Sequence, residues 1–183
     1  MELYDKIIRI VDANFIFCLF PLILTLILIA LVFKNRFKTK QALNLIRWSI
    51  VIYTAVSILH FIIGITLFPD EFAFINRATG LYWVIYWLMF FSSTMLPFTL
   101  LIRKLATKPW YILFIAVFMK LGVYFERFVI IVTRLHRDYL PDNWNLGFLS
   151  FPMFAFIVIS LQGFVLAILL LLFFELKERK RTI

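Results

Sequence analysis

Cysteine is nearly absent from this chain: Cys18 is the only one, and it sits inside an apolar run. A single cysteine excludes an intrachain disulfide, and it matches no metal-ligand spacing. No haem-attachment or iron–sulfur pattern is present either. Any redox cofactor of the system is then a diffusible quinone or belongs to another subunit. Acids are scarce as well, ten against 19 Lys and Arg, for a net charge of +9. No internal repeat, low-complexity linker or soluble domain is legible. The polar–apolar alternation of a membrane β-barrel is missing too, because the apolar runs are continuous. Acids come first in the chain and no small-residue cleavage site follows the first apolar run. The expectation is therefore that the N-terminus is not a signal peptide.

What is abundant is apolar surface. Hydrophobic residues make up 64% of the 183, with 23 Phe and a mean hydropathy of +0.99. Soluble domains hold about 45–50% apolar residues. A soluble core cannot absorb this excess, whereas a bilayer can. The positive charge does not point to nucleic acid. Twelve of the 19 Lys and Arg fall in residues 34–47, 103–108 and 177–181, each flanking an apolar segment. That is the positive-inside pattern, with contact to anionic lipid.

Five spans are expected, at about residues 13–33, 48–68, 80–102, 109–133 and 150–174, in one transmembrane domain covering 1–183. The first has 21 residues and no charge, enough to cross about 30 Å of hydrocarbon. Before it, Leu3, Ile7, Ile10 and Val11 give residues 1–12 an amphipathic character. Pro21, Pro97 and Pro152 are candidate bends. Tyr82, Trp83, Tyr86 and Trp87 suit an interfacial aromatic belt. Pro109 opens the fourth span, where a proline fits the first helical position. Backbone groups in lipid must be satisfied within the segment, so the spans are helices. With five spans the three basic clusters share one side. That side carries 12 bases and two acids; the other carries five bases and seven acids. The basic side is cytoplasmic, which puts the N-terminus outside and the C-terminus inside.

The fourth span holds Lys120, Glu126 and Arg127. An ionisable group at membrane depth costs roughly 2.5–3.5 kcal/mol on insertion scales unless paired or hydrated. Lys120, Arg127 and Arg134 are seven apart and share a helix face. Adjacent side chains do not face each other, so Glu126 pairs with another helix rather than with Arg127. His60 and Arg77 are the partners on the same side, and Asp138 is a partner for Arg127 or Arg134. Two roles fit these residues. One is helix packing through interhelical polar contacts. The other is a proton path near the outer face through Glu126, Arg127, His136, Arg137 and Asp138, since His titrates near neutral pH. His60 alone reads first as a helix-packing histidine. Lys120 lies about 15 Å from either helix end at 1.5 Å per residue.

The runs EFAFINRATGLYWVIYWLM at 71–89, FERFVIIVT at 125–133 and LHRDYLP at 135–141 carry a resemblance. They resemble the polysulfide-reductase membrane-subunit (NrfD-like) family, and within it the quinol-oxidising membrane subunit of bacterial alternative complex III. The resemblance covers about residues 70–145, in the same order and with similar spacing. It implies an all-α integral membrane protein in which four of the five helices form a bundle like one half of that fold. It also implies a place in the bacterial cytoplasmic membrane. The partners it implies are an iron–sulfur protein, a larger NrfD-like subunit and cytochrome c subunits, with lipid around them. Iron–sulfur and haem groups would sit on those partners, and menaquinone or another quinone is the diffusible cofactor. Two departures stand out. Family members are usually longer, with two four-helix bundles, and the third span here reads Phe91-Ser-Ser-Thr94 where the family has an Asn- or Gln-bearing stretch. The expected function is a proton-path or scaffold subunit of a quinol-linked respiratory complex. A small transporter or channel with a charged fourth helix is the alternative, and a lipid-modifying enzyme is a third, disfavoured because the His/Asp cluster is expected outside.

Overall fold

A computed structural model describes residues 2–34, 36–67, 74–80, 83–121 and 151–179. All regular structure among these residues is helical. The chain divides into two compact units, Met1–Ala42 with Val123–Ile183, and Leu43–Gly122. Among the described residues, four helical stretches are long and apolar enough to cross a membrane: Lys6–Val32, Thr39–Leu67, Trp83–Leu101 and Phe156–Arg179. The last has a mean hydropathy of 2.8, yet only 17% of its most apolar window is buried within the protein. Phe156, Leu161, Leu169 and Leu176 are each more than half exposed. Surface of this kind requires lipid or a neighbouring chain to cover it. The protein is thus a multi-pass membrane protein of helical class.

The described residues of the first unit are built around a helical pair. Helix α1 (Glu2–Val11) runs through a π-helical turn, Asp12–Ile16, into α2 (Leu19–Val32). The sequence places a bend at Pro21. Pro21 is in fact the third residue of α2, where a missing N–H costs little. The irregularity lies upstream. Pro21 cannot donate to the carbonyl of Phe17, and the backbone there turns before α2 begins. Leu19, Leu22, Ile23, Leu26 and Ile27 form the buried stripe of α2. Their spacing is that of one helix face.

Helix α8 (Phe151–Arg179) packs along α2. Its buried positions Gly163, Ala167 and Leu171 recur every four residues. The two small ones let the backbones approach, as membrane helix pairs commonly require. A Cβ built on Gly163 would lie 2.6 Å from Pro21 Cγ and 3.0 Å from both Cys18 O and Leu22 N. One residue earlier, Gln162 Nε2 donates to Asn14 O (3.1 Å) and Asn14 Oδ1 (3.2 Å). Asn14 in turn donates from Nδ2 to Ile10 O at 2.9 Å. Gln162→Leu is expected to lower stability by about 0.6–2 kcal/mol, the range for interhelical polar contacts in membranes. Thermal unfolding in detergent measures it; an unchanged midpoint would mean the contact contributes nothing. At the far end of the pair, Lys38 Nζ meets Glu178 Oε2 at 2.9 Å. Both side chains are more than 40% exposed, so this pair is a minor contributor.

The second unit is built on α3 (Thr39–Leu67), which starts nine residues before the expected second span. It continues through α4 (Phe74–Thr79) and α5 (Trp83–Thr94) to a 3₁₀ segment, Leu96–Leu101. The short α6 (Arg103–Ala106) then leads into α7 (Pro109–Met119). Pro109 is the first residue of α7, as its fixed φ favours. Pro97 fulfils its expectation as a breaker: it lacks the N–H that would reach Ser93, and α5 stops at Thr94. Tyr86 and Trp87 do not stand alone as a belt. They join Phe61, Phe74, Phe90 and Phe91 in a continuous ring cluster with centroids 5.3–6.4 Å apart. Edge-to-face pairs of this kind add about 0.5–1.5 kcal/mol each beyond area burial. Trp87 Nε1 donates to Ala78 O at 3.2 Å, which ties α5 to α4. The expected fourth span runs to residue 133, and its part beyond Leu121 lies outside the described residues.

Candidate functional site

The polar feature of the second unit is a cleft of about 270 Å³. Its walls come from three helices. Tyr53, Thr54, Ser57 and Phe61 stand on α3, Phe90, Ser93 and Thr94 on α5, and Met119 with Lys120 at the end of α7. Thr54 is 1% exposed and Lys120 9%. Lys120 stands just past the end of α7, about 16 Å from Pro109 at 1.5 Å per residue. A buried ammonium is costly unless polar groups meet it.

Three hydroxyls on the cleft wall are oriented by their own helices. Thr54 Oγ1 donates to Ile50 O at 2.9 Å, Thr94 Oγ1 to Phe90 O at 2.6 Å and Ser93 Oγ to Phe90 O at 3.2 Å. Each hydroxyl proton is thus committed to its own helix. The lone pairs are left for donors in the cleft. Lys120 brings three N–H donors and no acceptor. Among the described residues the lining thus sets one cation beside three hydroxyls whose oxygens can accept, which suits water or a ligand carrying O–H groups.

Both neighbouring helices are irregular at this level. Ser92, Ser93 and Thr94 all turn back onto carbonyls of α5, a habit that bends helices. The 3₁₀ segment follows directly. Helix α7 closes at Met119, and Lys120 has φ −105° and ψ 14°, outside the helical region. Its N–H reaches Val117 O at 3.2 Å, the tighter three-residue pattern. A cation at a helix C-terminus also meets the negative end of the helix dipole. Because Lys120 leaves helical geometry, its seven-residue spacing to Arg127 does not by itself put the two on one face.

Of the residues marked by sequence, Glu126, Arg127, His136, Arg137 and Asp138 lie outside the described residues. His60 is placed on α3, half-buried, one turn beyond Ser57 but not in the cleft lining. Lys120 was visible as a charge in an apolar run, and the structure adds its surroundings. Tyr53, Thr54, Ser57, Ser93 and Thr94 were missed as a group. The i, i+3 spacing of Thr54 and Ser57 was the available signal, and hydroxyls are too common in membrane helices for it to speak alone. Among the described residues, no group of three or more His, Cys, Asp or Glu could hold a metal ion.

No family model, curated protein or solved structure matches the chain.

Proposed function

We propose that this chain is a subunit of a quinol-linked respiratory complex in the bacterial cytoplasmic membrane, with five spans, the N-terminus outside and the C-terminus inside. The observation that carries the reading is the run FERFVIIVT at 125–133 joined to LHRDYLP at 135–141. It resembles the NrfD-like membrane subunits, above all that of alternative complex III, and this sets the reading apart from other membrane functions. Its proposed role is a proton path or scaffold beside a larger NrfD-like subunit, an iron–sulfur protein and cytochrome c subunits. The quinone is shared with that assembly, and menaquinone is the expected type.

The cleft at Lys120 supports the proton-path form. Its 270 Å³ has room for several waters. Waters there would meet one ammonium and several hydroxyl acceptors. Glu126, His136 and Asp138 would continue the path toward the outer face. Glu126→Gln keeps the shape and removes the charge. The complex is expected to assemble normally while quinol-dependent turnover falls roughly ten-fold or more, as for loss of a proton-transfer group. Normal turnover in a normally assembled complex would contradict the relay. Loss of assembly before loss of turnover would assign Glu126 to packing.

A second reading has one observation of its own. Among the described residues, α5 ends at Thr94 and α7 at Met119, both beside the polar cleft. Discontinuous helices around a polar site are a recurring feature of transporters. A transporter would be isolated alone, without cofactor-bearing partners.

A further inference from the structure

We propose that the first unit binds one anionic phospholipid, with an acyl chain in the groove between α2 and α8 and its phosphate on Lys34 and Arg36. The groove has a volume of about 230 Å³. Ile29, Phe33 and Phe37 form one wall, and Ile168, Leu171 and Leu172 the other. It is smaller than the roughly 300–1,000 Å³ of pockets for drug-sized ligands. That size suits a segment of one hydrocarbon chain, not a whole lipid.

The chain turns at the mouth of this groove. Phe33 N–H closes α2 on Ile29 O at 3.0 Å, and Arg36 N–H returns to Phe33 O at 2.9 Å. The rings of Phe33 and Phe37 meet edge to face with centroids 5.3 Å apart. Lys34 and Arg36 lie within this turn, and both are exposed. Lys34 has φ 42°, the left-handed conformation in which helices usually place glycine. A long cation occupies a position where a glycine would be easier to accommodate.

Charge at this end selects the sign of the head group. Lys34, Arg36, Lys38, Lys40, Lys177 and Arg179 stand against Glu175 and Glu178. Lys38 and Glu178 are paired with each other. Among the described residues, Lys34 and Arg36 have no carboxylate partner. Glu175 lies on the groove wall and repels a phosphate from the α8 side, which directs it to the turn. Basic groups beside a membrane attract anionic lipid. The groove adds the requirement for an acyl chain, which inorganic phosphate cannot meet.

The test uses the purified full chain in a neutral detergent, titrated with dioleoyl phosphatidylglycerol, dioleoyl phosphatidylcholine or inorganic phosphate. Native mass spectrometry and thermal melts read the binding. The parent chain is expected to bind phosphatidylglycerol at least ten-fold more tightly than phosphatidylcholine. Lys34→Gln and Arg36→Gln should each weaken phosphatidylglycerol by roughly five-fold and leave phosphatidylcholine unchanged. Leu172 is 52% exposed, so Leu172→Trp can fill the groove without disturbing the core, and it should weaken both lipids. Equal affinity for the two lipids would overturn the proposal. So would phosphatidylglycerol selectivity that survives both Gln variants, or displacement of the lipid by inorganic phosphate. If Lys34 serves only the dipole of α2, Lys34→Gln lowers the melting temperature and leaves lipid selectivity intact, which also overturns it.

Discussion

Lys120→Met is expected to leave the chain at least as stable as the parent while quinol-dependent electron transfer falls ten-fold or more. Methionine matches the length of the lysine stem and carries no charge. Taking an ammonium out of water costs several kcal/mol, and Lys120→Met removes that cost. Thr54, Ser93 and Thr94 keep their backbone hydrogen bonds in the variant, so no hydroxyl proton is orphaned. What is lost is the one cation among the described residues of the cleft. Thermal unfolding in detergent and electron-transfer rates in membranes read the two effects separately. A purely structural Lys120 gives the opposite pattern: a loss of about 3–5 kcal/mol, as when a needed partner of a buried pair is removed, with normal turnover in whatever assembles.

Gly163→Leu should be the most disruptive single change in the first unit, with a loss of about 2–4 kcal/mol. The Cβ alone would meet Pro21 Cγ at 2.6 Å and two backbone atoms of α2 at 3.0 Å. Proline cannot swing away, because its ring is fixed to the backbone. Helix α8 must therefore move off α2, and the contact of Gln162 with Asn14 goes with it. Gly163→Ala separates the two contributions. Alanine gains about 1 kcal/mol of helix propensity but meets the same first contacts, so it should be mildly destabilising rather than stabilising. Melting temperatures of the two variants test this. A neutral Gly163→Leu would mean the two helices are not in contact there.

These two sites differ in how far the sequence reveals them. The helical class and the apolar spans were legible because hydropathy alone decides them. The buried stripe of α2 was not. Leu19, Leu22, Ile23, Leu26 and Ile27 sit among residues just as apolar, so no periodicity stands out. In lipid both faces of a helix are hydrophobic, and the pattern that marks a soluble helix vanishes. Gly163 was noticeable beside Gln162, but its partner depends on register between distant segments. Pro97, read as a bend, marks the change from α5 to the 3₁₀ segment, because its effect is local. Pro21 was displaced by four residues, since the missing hydrogen bond is felt upstream. Lys120 was visible by its charge, and its hydroxyl neighbours only by geometry. They come from three helices and look ordinary in each. Glu126, Arg127, His136, Arg137 and Asp138 still rest on spacing and resemblance.

The most direct test of the respiratory reading is purification of the tagged chain in mild detergent, followed by mass spectrometry and a visible absorption spectrum. The account predicts a multi-subunit assembly with a larger NrfD-like protein, an iron–sulfur protein and a haem spectrum from cytochrome c subunits. A solitary, colourless protein would contradict it and favour the transport reading of the polar cleft at Lys120.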